Sequence, residues 1–136
     1  KRNMTAYRAL TAAMSKELVA SAHDCSDGGL AVALAECCFG SDSGAKVDIT
    51  PLWSDCDNLD KWGALFGESL GRILVSTSPD DRQAFEKSME GVTCHHIGDV
   101  SEGDDISFSR EGEVILSASM KVLRESWKGT LHGGGE

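Results

Sequence analysis

The chain has 136 residues, with 13 basic against 22 acidic side chains and a formal net charge of −9 at pH 7. That length suits one domain with a core of its own, and a 40% share of hydrophobic residues argues against disorder. The acidic balance argues against nucleic-acid or anionic-membrane binding, and no apolar run approaches the roughly 20 residues of a membrane span. The chain opens Lys1-Arg2-Asn3, with neither an initiator Met nor a signal sequence. The expectation is a soluble, cytoplasmic domain cut from something larger.

In chain order, the first fifteen or so residues read as an amphipathic helix. Thr5 is a candidate cap, and Tyr7, Leu10, Met14 and Leu18 fall on one face. Ala20 to Cys25 reads as a short strand leading into a turn. A second helix is expected from Gly28 to Phe39, capped by Ser26 or Asp27 and ended at Gly40. Its alanines, Ala31, Ala33 and Ala35, keep it slim enough for close packing. Ala45 to Ile49 alternates as a strand and Pro51 ends it. Asp57 to Leu65 is expected to be helical, and Arg72 to Thr77 is the strongest strand in the chain. Ser78-Pro79-Asp80-Asp81 has the chemistry of a helix start, and that helix carries Phe85 and Met89 to Gly91. Thr93–Val100, Ile106–Ser109 and Glu113–Ser117 read as strands, the last two as a hairpin over Arg110-Glu111-Gly112. A last helix carries Met120, Leu123 and Trp127. The expected fold class is α+β in α/β/α layers, a mixed sheet flanked by helices. Residues 1–131 form the domain, and 132–136 form a disordered glycine-rich tail.

The cysteines, Cys25, Cys37, Cys38, Cys56 and Cys94, are odd in number and show no C-x-x-C spacing. They read as reduced, mostly buried small hydrophobes. Cys25, beside a glycine turn, is the one candidate for a reactive thiol. His95-His96 does not suit a shared metal, because neighbours in an extended segment point to opposite faces.

Two segments can carry chemistry. His23-Asp24-Cys25-Ser26-Asp27-Gly28-Gly29-Leu30 is a glycine turn at a helix start. Backbone N–H groups there can approach an anion, and the helix dipole adds positive partial charge. Ser26, Asp27, Gly28 and Gly29 are thus candidate phosphate contacts. Asp24 and Asp27 repel a bare phosphate but suit a bridging magnesium ion. The same turn also reads as a capped change of chain direction. In Leu65-Phe66-Gly67-Glu68-Ser69-Leu70-Gly71-Arg72, charges stand at the mouth of an apolar strand. Glu68 and Arg72 either pair with each other, or Glu68 faces a metal, amine or sugar hydroxyl while Arg72 faces a phosphate. Ser69 lies between them as a further candidate contact.

With these two segments, Ala31-Val32-Ala33-Leu34-Ala35-Glu36 and Ile97-Gly98-Asp99-Val100, nearly the whole chain resembles the C-terminal domain of the AIR synthase-related superfamily. Within it the chain is most similar to the phosphoribosylformylglycinamidine (FGAM) synthase family of purine biosynthesis. Thiamine-monophosphate kinase has a similar S-D-G turn and is the nearest enzymatic alternative. A non-catalytic packing domain is the alternative from another class. The resemblance implies an ATP-dependent ligase that phosphorylates the formyl amide oxygen of phosphoribosylformylglycinamide (FGAR), after which ammonia from glutamine displaces phosphate. ATP and Mg2+ are the implied cofactors, and this domain is one wall of their cleft. The implied partners are an N-terminal AIR synthase-type domain and a glutaminase domain or subunit. The catalytic residues are expected outside these 136 residues, so the isolated domain is expected to be inactive. The slim face of the second helix, if uncovered, predicts concentration-dependent homodimers.

Overall fold

The computed structural model describes residues 2–41, 43–55 and 60–130. Helix α1 spans Arg2–Met14, strand β1 Ser21–Asp24, α2 Gly29–Phe39 and β2 Ser43–Asp48. After a 3-10 stretch at Thr50–Asp55 come α3 (Lys61–Phe66), β3 (Ile73–Ser76) and α4 (Arg82–Ser88). The chain closes with β4 (Gly98–Glu102), β5 (Asp105–Arg110), β6 (Glu113–Ser119) and α5 (Met120–Thr130). This is the expected α+β class.

The strands form two sheets. β1 and β3 make an antiparallel ribbon running from Ser21 opposite Ser76 to Asp24 opposite Ile73. The other four are ordered β4-β2-β5-β6, with β2 parallel to β5 and the outer pairs antiparallel, so this sheet is mixed. Helix α2 packs against both sheets and against α3 and α5. Leu30, Ala31, Ala33, Leu34, Ala35 and Cys38 are buried. The small side chains let the helix axis come close to its neighbours, and larger ones fill the layers around it. Ile49, Leu65 and Met120 are the largest fully buried residues, each contributing about 1.5–3 kcal/mol by leaving water. A second cluster joins Leu10 and Ala13 of α1 to Phe85 of α4 and to Met89.

Several local expectations change. Helix α1 is already formed at Arg2, so Thr5 is not its cap. Leu10 and Ala13 face inward, whereas Tyr7 and Met14 are exposed. The α4 helix starts at Arg82 because Ser78 first closes a turn, its Oγ accepting the Asp81 N–H at 3.1 Å. The strand expected from Thr93 begins only at Gly98. Ile97 accepts the last bond, from the Asp48 N–H, and beyond Asp48 the partner chain leaves the sheet for the 3-10 stretch. The β5–β6 hairpin turns at Glu111 (φ 52°) and Gly112 (φ 83°), the pair of positive φ values that a type I′ turn requires. The expected helix start at Asp57, Cys56 and the glycine-rich tail lie outside the described residues. Asp60 caps α3, its carboxylate accepting the Trp62 and Gly63 N–H groups at 2.8 and 2.9 Å.

The face of α2 from which dimers were expected is covered by the chain itself. The exposed large apolar side chains lie elsewhere, notably Trp62, Phe66 and Leu70. The physical basis given for a homodimer therefore falls away.

Candidate functional site at the glycine turn

Pairing of β1 with β3 brings the two chemistry-bearing segments together, although they are about forty positions apart in the chain. The Cys25 N–H donates to the Arg72 carbonyl at 3.0 Å, one step beyond the last register pair. The chain then turns through Ser26, whose carbonyl accepts the Gly29 N–H at 3.2 Å, and enters α2. Gly28 (φ 76°) and Gly29 (φ 68°) both hold left-handed backbone, which L-residues with a Cβ adopt at a cost. Gly29 has a second reason to be glycine. A Cβ there would lie 2.7 Å from the Phe66 backbone carbon and 2.9 Å from the Leu65 and Gly67 carbonyl oxygens.

A cavity of about 250 Å³ opens at this junction, lined by Asp24, Cys25, Ser26, Asp27, Glu68, Ser69, Leu70, Gly71 and Arg72. Six of the expected site residues border it: Asp24, Ser26, Asp27, Glu68, Ser69 and Arg72. Gly28 and Gly29 do not line it, and Gly29 is buried. Neither Ser26 nor Asp27 caps α2. The cap position is Gly28, with no side-chain bond to the helix start. The service comes from the other segment, where Glu68 Oε1 accepts the Gly28 N–H at 3.1 Å.

Glu68 and Arg72 were expected either to pair or to face ligands. They do not pair: Glu68 holds Gly28, and Arg72 Nη1 donates to the Ala64 carbonyl at 2.9 Å. Arg72 is nevertheless the one cation among the lining residues, which include three carboxylates. That balance disfavours a bare anion and suits one carried with a cation. Among the described residues, no group of three His, Cys, Asp or Glu side chains can hold a metal by itself. Asp24 and Asp27 bordering one cavity do fit the way magnesium is usually held, by one or two carboxylates with ligand phosphates completing the shell.

Cys25, which sequence patterning raised only as a possible thiol, forms the buried floor. Burial pushes its thiol above the ordinary value and Asp24 adds to this, against the opposing pull of Arg72. Both burial and the raised value disfavour the reactive thiolate at neutral pH. Cys38 is also buried, whereas Cys37 and Cys94 are exposed, so the cysteines are less uniformly buried than expected. His96 pairs with Asp99, Nε2 to Oδ1 at 3.4 Å.

Leu70 and Gly71 were not anticipated as wall residues. They belong to the tight connection from α3 into β3, and Leu70 is 96% exposed at its tip. A second, larger cavity of about 750 Å³ lies across β3 and shares Cys25 and Ser69 to Arg72 with the first.

The family model for AIR synthase related protein, C-terminal domain, matches residues 1–111. The chain belongs to that family. This AIR synthase-related C-terminal domain is 33% identical over 123 residues to phosphoribosylformylglycinamidine synthase subunit PurL of Prochlorococcus marinus (strain NATL1A), covering 85% of the chain. The chain spans 15% of the length of that relative. Among solved structures, Thermotoga maritima PurL complexed with ATP and the same protein complexed with FGAR each match with a TM-score of 0.78 at 20% identity. The PurLQS structure from the same organism matches equally well. Each alignment covers 85% of this chain and 20% of the other, and shows a common fold. No described helix of this domain is long and apolar enough to cross a membrane.

Proposed function

We propose that the chain is the C-terminal AIR synthase-related domain of a phosphoribosylformylglycinamidine synthase, the ATP- and glutamine-dependent ligase that converts FGAR to FGAM. In this reading it supplies one wall of a cleft for nucleotide, magnesium and phosphate, and the residues that carry the bond changes stand on the facing domain. The observation that carries the proposal is the cavity where Asp24, Ser26, Asp27, Glu68, Ser69 and Arg72 converge on a glycine turn. Similarity to a PurL subunit, and a fold shared with PurL chains complexed with ATP and with FGAR, support it.

Each wall residue has a part. Magnesium, held by Asp24 and Asp27 together with phosphate oxygens, would offset phosphate charge. The Ser26 and Ser69 hydroxyls are donors for phosphate or ribose oxygens, and Arg72 sets a fixed positive charge in the wall. Glu68 keeps the turn in shape through Gly28 rather than reaching for a ligand. The partners in this reading are an N-terminal AIR synthase-type domain and a glutaminase domain or subunit, in the cytoplasm.

The test is turnover of FGAR, ATP and ammonia by the full-length synthase. Asp27→Ala is expected to lower kcat/KM by about 100-fold, the scale of losing one well-placed electrostatic partner. The 136-residue chain alone is expected to release no ADP. A second reading, a domain that only packs on a neighbour, draws on the exposed Trp62, Phe66 and Leu70, the last of which lines the cavity. Unchanged turnover and unchanged Mg-ADP affinity in Asp27→Ala would favour it.

A further inference from the structure

His23 and Glu36 lie outside the cavity wall, yet they hold the chain that enters it. His23 Nδ1 lies 2.7 Å from the Asp24 carbonyl oxygen. That oxygen can only accept, so Nδ1 is the donor. On the other side of the ring, Nε2 lies 3.2 Å from Glu36 Oε2, on the second turn of α2. With Nδ1 already donating, this contact is a hydrogen bond when the ring is the imidazolium, whose Nε2–H donates to the carboxylate. The peptide between Asp24 and Cys25 is thereby gripped at both ends. Its C=O is held by the His23 ring, and its N–H is held by the Arg72 carbonyl at 3.0 Å. A planar peptide with both polar groups engaged cannot swivel without breaking both bonds. This peptide leads straight into the glycine turn, whose own bonds are those of the Gly28 N–H to Glu68 and of the Gly29 N–H to the Ser26 carbonyl.

We propose that His23 is a positioning residue for the glycine-turn cavity. It acts through the Asp24 carbonyl, with Glu36 orienting its ring, and so sets how Asp24 and Asp27 are presented to a ligand. The geometry makes the end of β1 and the start of α2 one rigid corner. The Glu36 contact lets α2 carry both the turn and the ring that steers into it. The role in ligand binding rests on the nucleotide-site reading above, but the effect on the corner does not.

Two substitutions separate the contacts. The Asn amide nitrogen matches the place of Nδ1, so His23→Asn can keep the bond to the Asp24 carbonyl while losing Glu36. The Gln amide nitrogen matches Nε2, so His23→Gln can keep Glu36 while losing the carbonyl. Backbone amide spectra and hydrogen exchange of the 136-residue chain would be recorded at Cys25, Gly28 and Gly29, followed by a Mg-ADP titration of the full-length protein. The expected result is exchange at these amides about tenfold faster in His23→Gln than in wild type, as for losing one hydrogen bond. His23→Asn should stay within about twofold, and Mg-ADP affinity should follow the same order. Equal effects of the two substitutions, or no change at these amides in either, would overturn the proposal. Should the amides respond as expected while Mg-ADP binds neither wild type nor variant, the corner is positioned as described and the nucleotide reading is what fails.

Discussion

At the scale of single residues, the site depends on a few positions where chemistry and backbone meet. Gly29 is the least replaceable. Its φ of 68° and the backbone within 2.9 Å of any added Cβ leave a valine side chain nowhere to go. Gly29→Val is expected to destabilise the domain by more than about 2 kcal/mol, read as a lower urea midpoint. Burial pushes the Cys25 and Cys38 thiols above their ordinary value, so the folded chain holds these protons more tightly than the unfolded one. Their contribution to stability is then full below the unfolded thiol pKa and declines as pH rises through and beyond it. Melting temperatures between about pH 7 and about pH 10 should fall, and Cys25→Ala should flatten the part of the decline due to its own thiol. Asp24, Ser26, Asp27, Glu68, Ser69 and Arg72 were legible as candidates because charge at a glycine turn and at a strand mouth needs a partner. The partner of Glu68 was not legible. Spacing placed Arg72 four residues away, whereas the bond goes to the Gly28 N–H, across a contact that only the β1–β3 pairing creates.

At the scale of elements, local signals were strong where the chain satisfies itself. The run from Ile73 to Val75, the alanine-rich α2 and the β5–β6 hairpin all stand near their expected bounds. Boundaries moved where a distant strand decided them. The segment from Thr93 has the composition of a strand, but the β2–β4 ladder ends at the bond from the Asp48 N–H to the Ile97 carbonyl, and Ser78 uses its hydroxyl for a turn before α4 begins. Two substitutions test this level. Asp60→Ala removes both capping bonds of α3 and should cost about 1 kcal/mol, with exchange rising first at Trp62 and Gly63. Glu111→Asn at a positive φ should stabilise the hairpin by about 0.5–1 kcal/mol, seen as a higher melting temperature. The Arg110–Glu111 pair it removes is exposed and 3.5 Å apart, so it contributes little.

At the scale of the molecule, the fold class was legible and its division into two sheets was not. Nothing in strand patterning says that β1 and β3 pair apart from the other four. That separation places the glycine turn and the Glu68 segment at one end of a two-stranded ribbon, with α2 leading away from it. It also bears on how a chain with a net charge of −9 would handle the phosphate proposed above. Three carboxylates and one guanidinium line the cavity, and under the proposed function that balance suits a metal-borne anion rather than a free one. The central claim is that this corner binds nucleotide phosphate with magnesium as part of a longer synthase. Calorimetric titration of Mg-ADP into the full-length protein, wild type against Asp27→Ala, tests it most directly. The account predicts at least about tenfold weaker binding in the variant, the effect of losing one charge-assisted contact. Equal affinity in the two proteins would contradict it.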